Sequence, residues 1–79
     1  MILNKRIRTL VASEVVEYVM YENHYMSGTH EQTFSIAKRN HKEDKLIEWL
    51  VKSVRKDTAE MVWRDRVDDA TWVHGYKRR

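Results

Sequence analysis

The sequence predicts an all-α protein, a compact bundle of three to four helices, and three observations support this prediction. The chain of 79 residues has no proline and only two glycines, so few residues interrupt helices. Charged residues make up 34% of the chain, and many other residues are good helix formers. Apolar residues recur at spacings of three and four, as on a helix with one buried face. A chain of this length is expected to form one small helical domain, residues 1–79.

The first predicted helix starts at about Leu3 or Thr9 and ends at Tyr25. Ser27-Gly28 stops it, since glycine readily adopts the left-handed conformation with which many helices end. Its apolar stripe consists of Ile7, Leu10, Val11, Val15, Tyr18, Val19 and Tyr25.

Capping-box spacing, a polar residue followed three positions later by Glu or Gln, marks the starts of three more helices. The pairs are Thr29 with Gln32, Asn40 with Glu43, and Asp57 with Glu60. They predict a short second helix, a third from near 41 to about 56, and a fourth from 58 to about 73. The residues expected to pack in the core are Phe34, Ile36, Ala37, Ala59, Val62, Trp63, Ala70 and Val73.

Trp49 is the most unusual residue of the third predicted helix. On a helical wheel the aliphatic residues lie on one side, and Trp49 falls among lysines on another. The lysines are Lys42, Lys45, Lys52 and Lys56. Because a large aromatic ring is costly to leave in water, this arrangement indicates a contact surface. The alternative is a ring at the edge of the core, covered by the apolar stems of the lysines.

The segment Gln32–Val51 partly resembles a helix-turn-helix motif. Ala37 and Ile47 have the ten-residue spacing with which a small residue of the first helix packs against the recognition helix. Residues 40–42 depart from the motif, because they are polar where glycine and apolar residues are usual. The nucleic-acid contacts implied by the motif would come from Lys42, Lys45, Lys52, Arg55 and Lys56.

Composition excludes several other classes of protein. The absence of cysteine excludes disulfides and thiolate zinc sites. No apolar run approaches the roughly 20 residues of a membrane span, and the start of the chain lacks the apolar core of a secretion signal. We therefore expect a cytoplasmic protein. The net charge of +3 is small, although residues 37–56 hold seven basic and three acidic side chains.

No residue pattern predicts catalysis, so we expect no enzyme activity, no cofactor and no metal site. The chain has no glycine-rich phosphate loop, no nucleophile elbow and no pair of histidines one helical turn apart. Asp65, Asp68 and Asp69 form an acidic cluster, which is more typical of a solvated helix face than of a magnesium site.

The leading functional hypothesis is a small regulator that binds a larger macromolecule, most plausibly a protein, and inhibits or redirects it. Interfaces are enriched in Trp, Tyr and Arg, and Trp49, Trp72 and Tyr76 are the surface candidates. Such compact chains are common among accessory proteins of phages and mobile elements. The alternatives are a DNA- or RNA-binding regulator that uses helix 41–56, and a subunit that self-associates, for example as a homodimer.

Overall fold

The computed structural model shows a four-stranded antiparallel sheet with a helix packed on one face, so the predicted all-α bundle is wrong. It describes residues 2–25 and 32–68, with side chains for 4–23 and 32–68. The strands are β1 (Ile2–Val11), β2 (Val16–Tyr25), β3 (Thr33–Asn40) and β4 (Lys45–Val54). Helix α1 (Lys56–Val62) continues in π-helical conformation over Trp63–Asp68.

The strands lie in the sheet in chain order, so β1 and β4 are its two edges. Alternate residues of a strand point to opposite faces. On the helix-side face, Met20 of β2 and Phe34 and Ile36 of β3 pack against the helix. On the far face, which is the face opposite the helix, Val19 and Ala37 are buried as well. The two central strands therefore bury apolar residues on both faces, and Glu17, Asn23 and Ser35 are buried with them.

The core lies between the sheet and the helix. Ala59, Trp63 and Val67 project from successive turns of the helix onto the central strands, and Trp63 is only 4% exposed. The sequence prediction of a helix in this part of the chain is confirmed from Lys56 to Asp68, and Trp63 is a core residue as expected. Partly buried residues around this core are Leu10, Tyr18, Leu50, Val51, Val54 and Val62.

Irregular pairing of β4 explains why this strand looked helical. At three points β4 uses one residue more than β3, for instance where Leu46 and Glu48 face the consecutive residues Arg39 and Lys38. Each extra residue is a β-bulge, which changes the face to which the following side chains point. Leu50, Val51 and Val54 therefore all contact the core, with a spacing that imitates one helical face. The chain from 32 to 51 forms β3, a turn and part of β4, so the helix-turn-helix hypothesis is wrong.

Asn40, whose spacing to Glu43 predicts a helix start, instead closes the turn at 41–44. Asn40 Oδ1 accepts hydrogen bonds from the backbone N–H groups of Lys42 (3.0 Å) and Glu43 (2.9 Å). This is the bonding of a helix cap, but here it closes a turn between antiparallel strands. His41 fixes the turn to the β1–β2 connection, since its backbone N–H donates to the Val15 carbonyl at 2.8 Å.

An ion pair holds the helix against β1. The guanidinium group of Arg8 donates two hydrogen bonds to the Glu60 carboxylate, at 2.9 and 3.1 Å. The same guanidinium carbon lies 5.4 Å from the centre of the Trp63 ring, which adds a cation–π contact. Arg8 thus connects edge strand β1 to Glu60 on the helix surface and to Trp63 in the hydrophobic core.

Candidate docking surface on strand β4

Trp49 lies on the far face of the sheet, beside the small residue Ala37 of β3. Its ring centre is 6.0 Å from that of Tyr21, with the planes inclined at 59°. Lys52 Nζ lies over the Trp49 ring, 5.5 Å from its centre. The indole is therefore held by two neighbours, yet Trp49 remains 37% exposed.

Two aliphatic residues extend the exposed apolar area along the strand. Leu46 is 48% exposed and Ile47 is 49% exposed. Together with Trp49 and Lys52 they form what we call the β4 surface. Isolated exposed apolar residues are normal, but a group of three large ones within four positions of one strand is typical of an interaction site.

The outer edge of β4 also offers backbone hydrogen-bonding groups, since β3 is its only strand partner among the described residues. An open edge can pair with a strand of another molecule. Here the three bulges interrupt regular pairing, and Lys45, Glu48 and Lys52 place charges along the strand. Recognition at this edge therefore depends on side chains more than on an added strand.

Hydrogen bonds below the β4 surface fix its backbone. The buried Asn23 side-chain amide donates to Thr33 Oγ1 at 3.1 Å and to Ser35 Oγ at 3.2 Å. Ser35 Oγ also accepts from the backbone N–H of Ser53 at 2.9 Å. Ser53 adopts a left-handed conformation with φ 56°, which is unfavourable for a residue with a Cβ atom. Hydrogen bonds to residues of β2 and β3 thus hold the bulged end of β4 in place.

A charged network borders the β4 surface near the turn. Arg39 contacts the buried Glu17 carboxylate at 3.2 Å and also donates a hydrogen bond to Asp44. The hydrogen bond from Arg39 lowers the pKa of Asp44, and the same bond raises the pKa of Arg39. Arg6 lies 3.8 Å from Glu17 and links β1 to the network. The network connects three strands to the turn that precedes β4.

The basic residues chosen from the sequence are distributed over three parts of the structure. Lys42 is exposed in the turn, and Lys45, at the start of β4, lies 3.8 Å from Glu43. Lys52 is in the β4 surface, while Arg55 and Lys56 lie where the chain enters the helix. The expected single face of lysines around Trp49 does not form, because the segment is not a helix. The remaining candidates, Trp72 and Tyr76, lie outside the described residues.

Sequence reasoning missed Tyr21, Leu46 and Ile47 as members of the candidate site. The sequence patterns give Tyr21 no role, and the helical wheel puts Leu46 and Ile47 on its aliphatic side, away from Trp49. The concentration of β-branched and aromatic residues in 16–21 was the available signal, because it is typical of a strand, in which Val19 and Tyr21 share a face.

The described residues contain no group of three or more histidine, aspartate or glutamate side chains that could hold a metal ion. Within the same part of the chain, no helix is long and apolar enough to cross a membrane.

The fold and the β4 surface define a small antiparallel-sheet protein with one helix-covered face and an edge strand, β4, that exposes three large apolar side chains. Comparisons with profiles of known protein families, with curated protein sequences and with solved structures find no match. The function is therefore inferred from the residues of this chain alone.

Proposed function

We propose that this protein is a non-enzymatic regulator that binds a protein partner through the β4 surface and acts by covering part of that partner. The observation that carries the proposal is the exposure of Leu46, Ile47 and Trp49 on one edge strand. Each of these side chains is at most half exposed, so a partner that covers it gains about 1 kcal/mol, roughly half or less of the value for a fully exposed one.

The surroundings of Trp49 favour a protein over a nucleic acid. Stacking on a base requires a free face of the ring. Lys52 lies over the Trp49 ring and Tyr21 contacts the ring at an angle. The indole therefore has little free face on which a base could stack. Charges of both signs stand along the strand, whereas a nucleic-acid surface usually carries a clear excess of basic groups.

The arrangement also has the properties of an interface hot spot. Tyr21 and the hydrogen bonds of Ser35 hold the β4 surface before a partner arrives, so little side-chain freedom is lost on binding. Tryptophan is enriched among the residues that contribute most to protein–protein affinity, and loss of such a residue costs at least about 2 kcal/mol. Trp49→Ala is therefore expected to weaken binding by about thirtyfold or more.

The test is affinity capture from host lysate, with and without nuclease treatment, using matched edge-strand variants. Ile47→Asp places a charge in the β4 surface, and Ile7→Asp makes the same change on the opposite edge strand, where Ile7 is 42% exposed. We expect Ile47→Asp to lose a captured protein that the wild type and Ile7→Asp both retain, with all three folded by circular dichroism.

The outcomes separate the alternatives. Equal capture by both variants would overturn the assignment to β4. Capture that disappears after nuclease treatment, and that weakens steeply with salt, would identify a nucleic acid instead. A photo-crosslinker at position 47 that couples only to a second copy of the chain would identify self-association.

A further inference from the structure

A cleft of ≈ 810 Å³ lies where β4 gives way to the helix. Phe34 and Met61 form its apolar part, and Arg55, Lys56 and Arg64 supply cationic groups. Its volume is within the range of about 300–1,000 Å³ that is usual for ligand sites. The cleft is thus large enough for side chains of a bound segment.

The acidic groups of the cleft are already engaged within the chain. The Glu60 carboxylate accepts both hydrogen bonds from Arg8, which lowers the pKa of Glu60. Asp57 Oδ1 accepts a hydrogen bond from the backbone N–H of Thr58 at 2.9 Å. The cleft is therefore lined by three basic and two acidic side chains, and one of the acidic ones, Glu60, is paired with Arg8 and also lies in the field of Lys56.

Two of the basic groups are available to a ligand. Arg64 contacts Asp65 at 3.3 Å, but the side chains of Arg55 and Lys56 form no hydrogen bond or ion pair with any described residue. Both are exposed, and they are adjacent in sequence at the margin of the apolar part. The complement of this arrangement is an acidic group next to an apolar one.

The cleft and the β4 surface are close along the chain. Arg55 follows the last residue of β4 and is three positions beyond Lys52. At about 3.3 Å per residue of extended chain, the separation is about 10 Å or less, because bulges shorten the path. Because Trp49 lies on the far face and the cleft is lined by the helix and by Phe34 of the helix-side face, a partner segment that contacts both must pass around the end of β4.

We infer that the cleft binds an acidic segment of the same protein partner, with carboxylates at Arg55 and Lys56 and an apolar side chain against Phe34 and Met61. This inference rests on the proposed binding of a protein at β4. It specifies the chemistry of the partner segment, which is a short run of acidic and apolar residues. It also places that run at the C-terminal end of β4.

The test uses an acetylated tetrapeptide of two glutamates flanked by two leucines, followed by NMR on the full chain. Binding is expected to shift the Met61 methyl resonance and the backbone amides of Arg55 and Lys56. The double variant Arg55→Gln/Lys56→Gln is expected to weaken binding by about tenfold, the sum of two modest ion pairs. The matched control Lys42→Gln/Lys45→Gln removes the same charge elsewhere and is expected to change affinity less than about twofold.

The inference is overturned if the peptide causes no shift at the cleft, if a glutamine version of it binds equally well, or if both double variants weaken it equally. A single-stranded oligonucleotide that displaces the peptide would reassign the cleft to nucleic acid. Ile47→Asp is expected to abolish partner capture at β4 but to leave peptide affinity unchanged. Peptide binding therefore tests the cleft separately from the proposed function.

Discussion

The two faces of the sheet are built from the same strands but are stabilised in different ways. On the helix-side face, Met20 and Ile36 pack against Trp63, and the Arg8–Glu60 ion pair lies at the margin of this apolar packing. On the far face, polar groups such as Glu17 are buried beside Val19 and Ala37 and are connected by hydrogen bonds. Apolar packing tolerates small shifts, whereas buried ion pairs and hydrogen bonds require defined partners. The helix-side face therefore supplies most of the stability, and the far face fixes the positions of β4 and its exposed residues.

The largest loss of stability is expected at Trp63, and it contrasts with a small loss at Trp49, which lies on the opposite face. Trp63→Ala should destabilise the protein by about 3–5 kcal/mol, because it empties the centre of the core. Trp49→Ala should cost about 1 kcal/mol or less, because its ring is partly exposed. Urea denaturation measures both, and Trp63→Phe provides a folded reference if Trp63→Ala does not fold. A greater loss from Trp49→Ala would show that the far face carries the stability.

The next largest effect should come from the buried ion pair of the far face. Glu17→Gln leaves the Arg39 guanidinium without one of its two carboxylates and is expected to cost about 1–3 kcal/mol. A double-mutant cycle with Arg39→Met isolates the interaction between the two residues. If the two single changes add without coupling, Glu17 does not hold Arg39, and the network would not position the turn.

A smaller, stabilising effect is expected at Ser53. Ser53→Gly should raise the free energy of unfolding by about 0.5–1 kcal/mol, since glycine accepts positive φ without a Cβ clash. Ser53→Ala keeps the Cβ atom and should give no gain, which makes it the control. Equal stability of the glycine and alanine variants would mean that the left-handed conformation at this bulge is not strained.

The smallest effect should be the acid dependence contributed by the exposed carboxylates. The Arg39 hydrogen bond lowers the pKa of Asp44 below its ordinary value of 3.8, and the Arg8 hydrogen bonds lower that of Glu60 below 4.5. Because these groups lose protons more readily when folded, their stabilisation is complete above the ordinary values. It is lost as the pH falls through the lowered ones. Denaturation between pH 7 and pH 2 should show a shallower acid limb in Asp44→Asn/Glu60→Gln than in the wild type. An unchanged limb would contradict the role of both pairs.

The helix at the end of the described chain could be predicted from sequence because its signals are local. Ala59, Val62 and Trp63 have regular helical spacing, and the helix forms where they predict it. The sheet could not be predicted in this way, because bulges make Leu50, Val51 and Val54 appear at helical spacing. The hydrogen bonding of Asn40 is equally compatible with a helix cap and with a turn, so it could not decide between them.

The candidate site was predictable only in part for the same reason. Trp49 stood out because a helical wheel places it among lysines, and of these lysines Lys52 lies over its ring in the sheet. Its neighbours depend on pairing between strands distant in sequence, so Tyr21 could not be connected to Trp49 without the fold. The partner-binding role of both residues remains a prediction that the edge-strand variants will test.

The bulges on the two edge strands have a consequence for growth by polymerisation. Copies of a sheet with two regular edges can pair edge to edge, and each added molecule exposes a new edge strand for the next. Here β1 is interrupted at Ile7 and β4 at three points, so neither edge presents a long uninterrupted ladder of hydrogen bonds. The strand that carries Leu46, Ile47 and Trp49 can thus display apolar side chains to a different molecule without acting as the template for a fibre of its own kind.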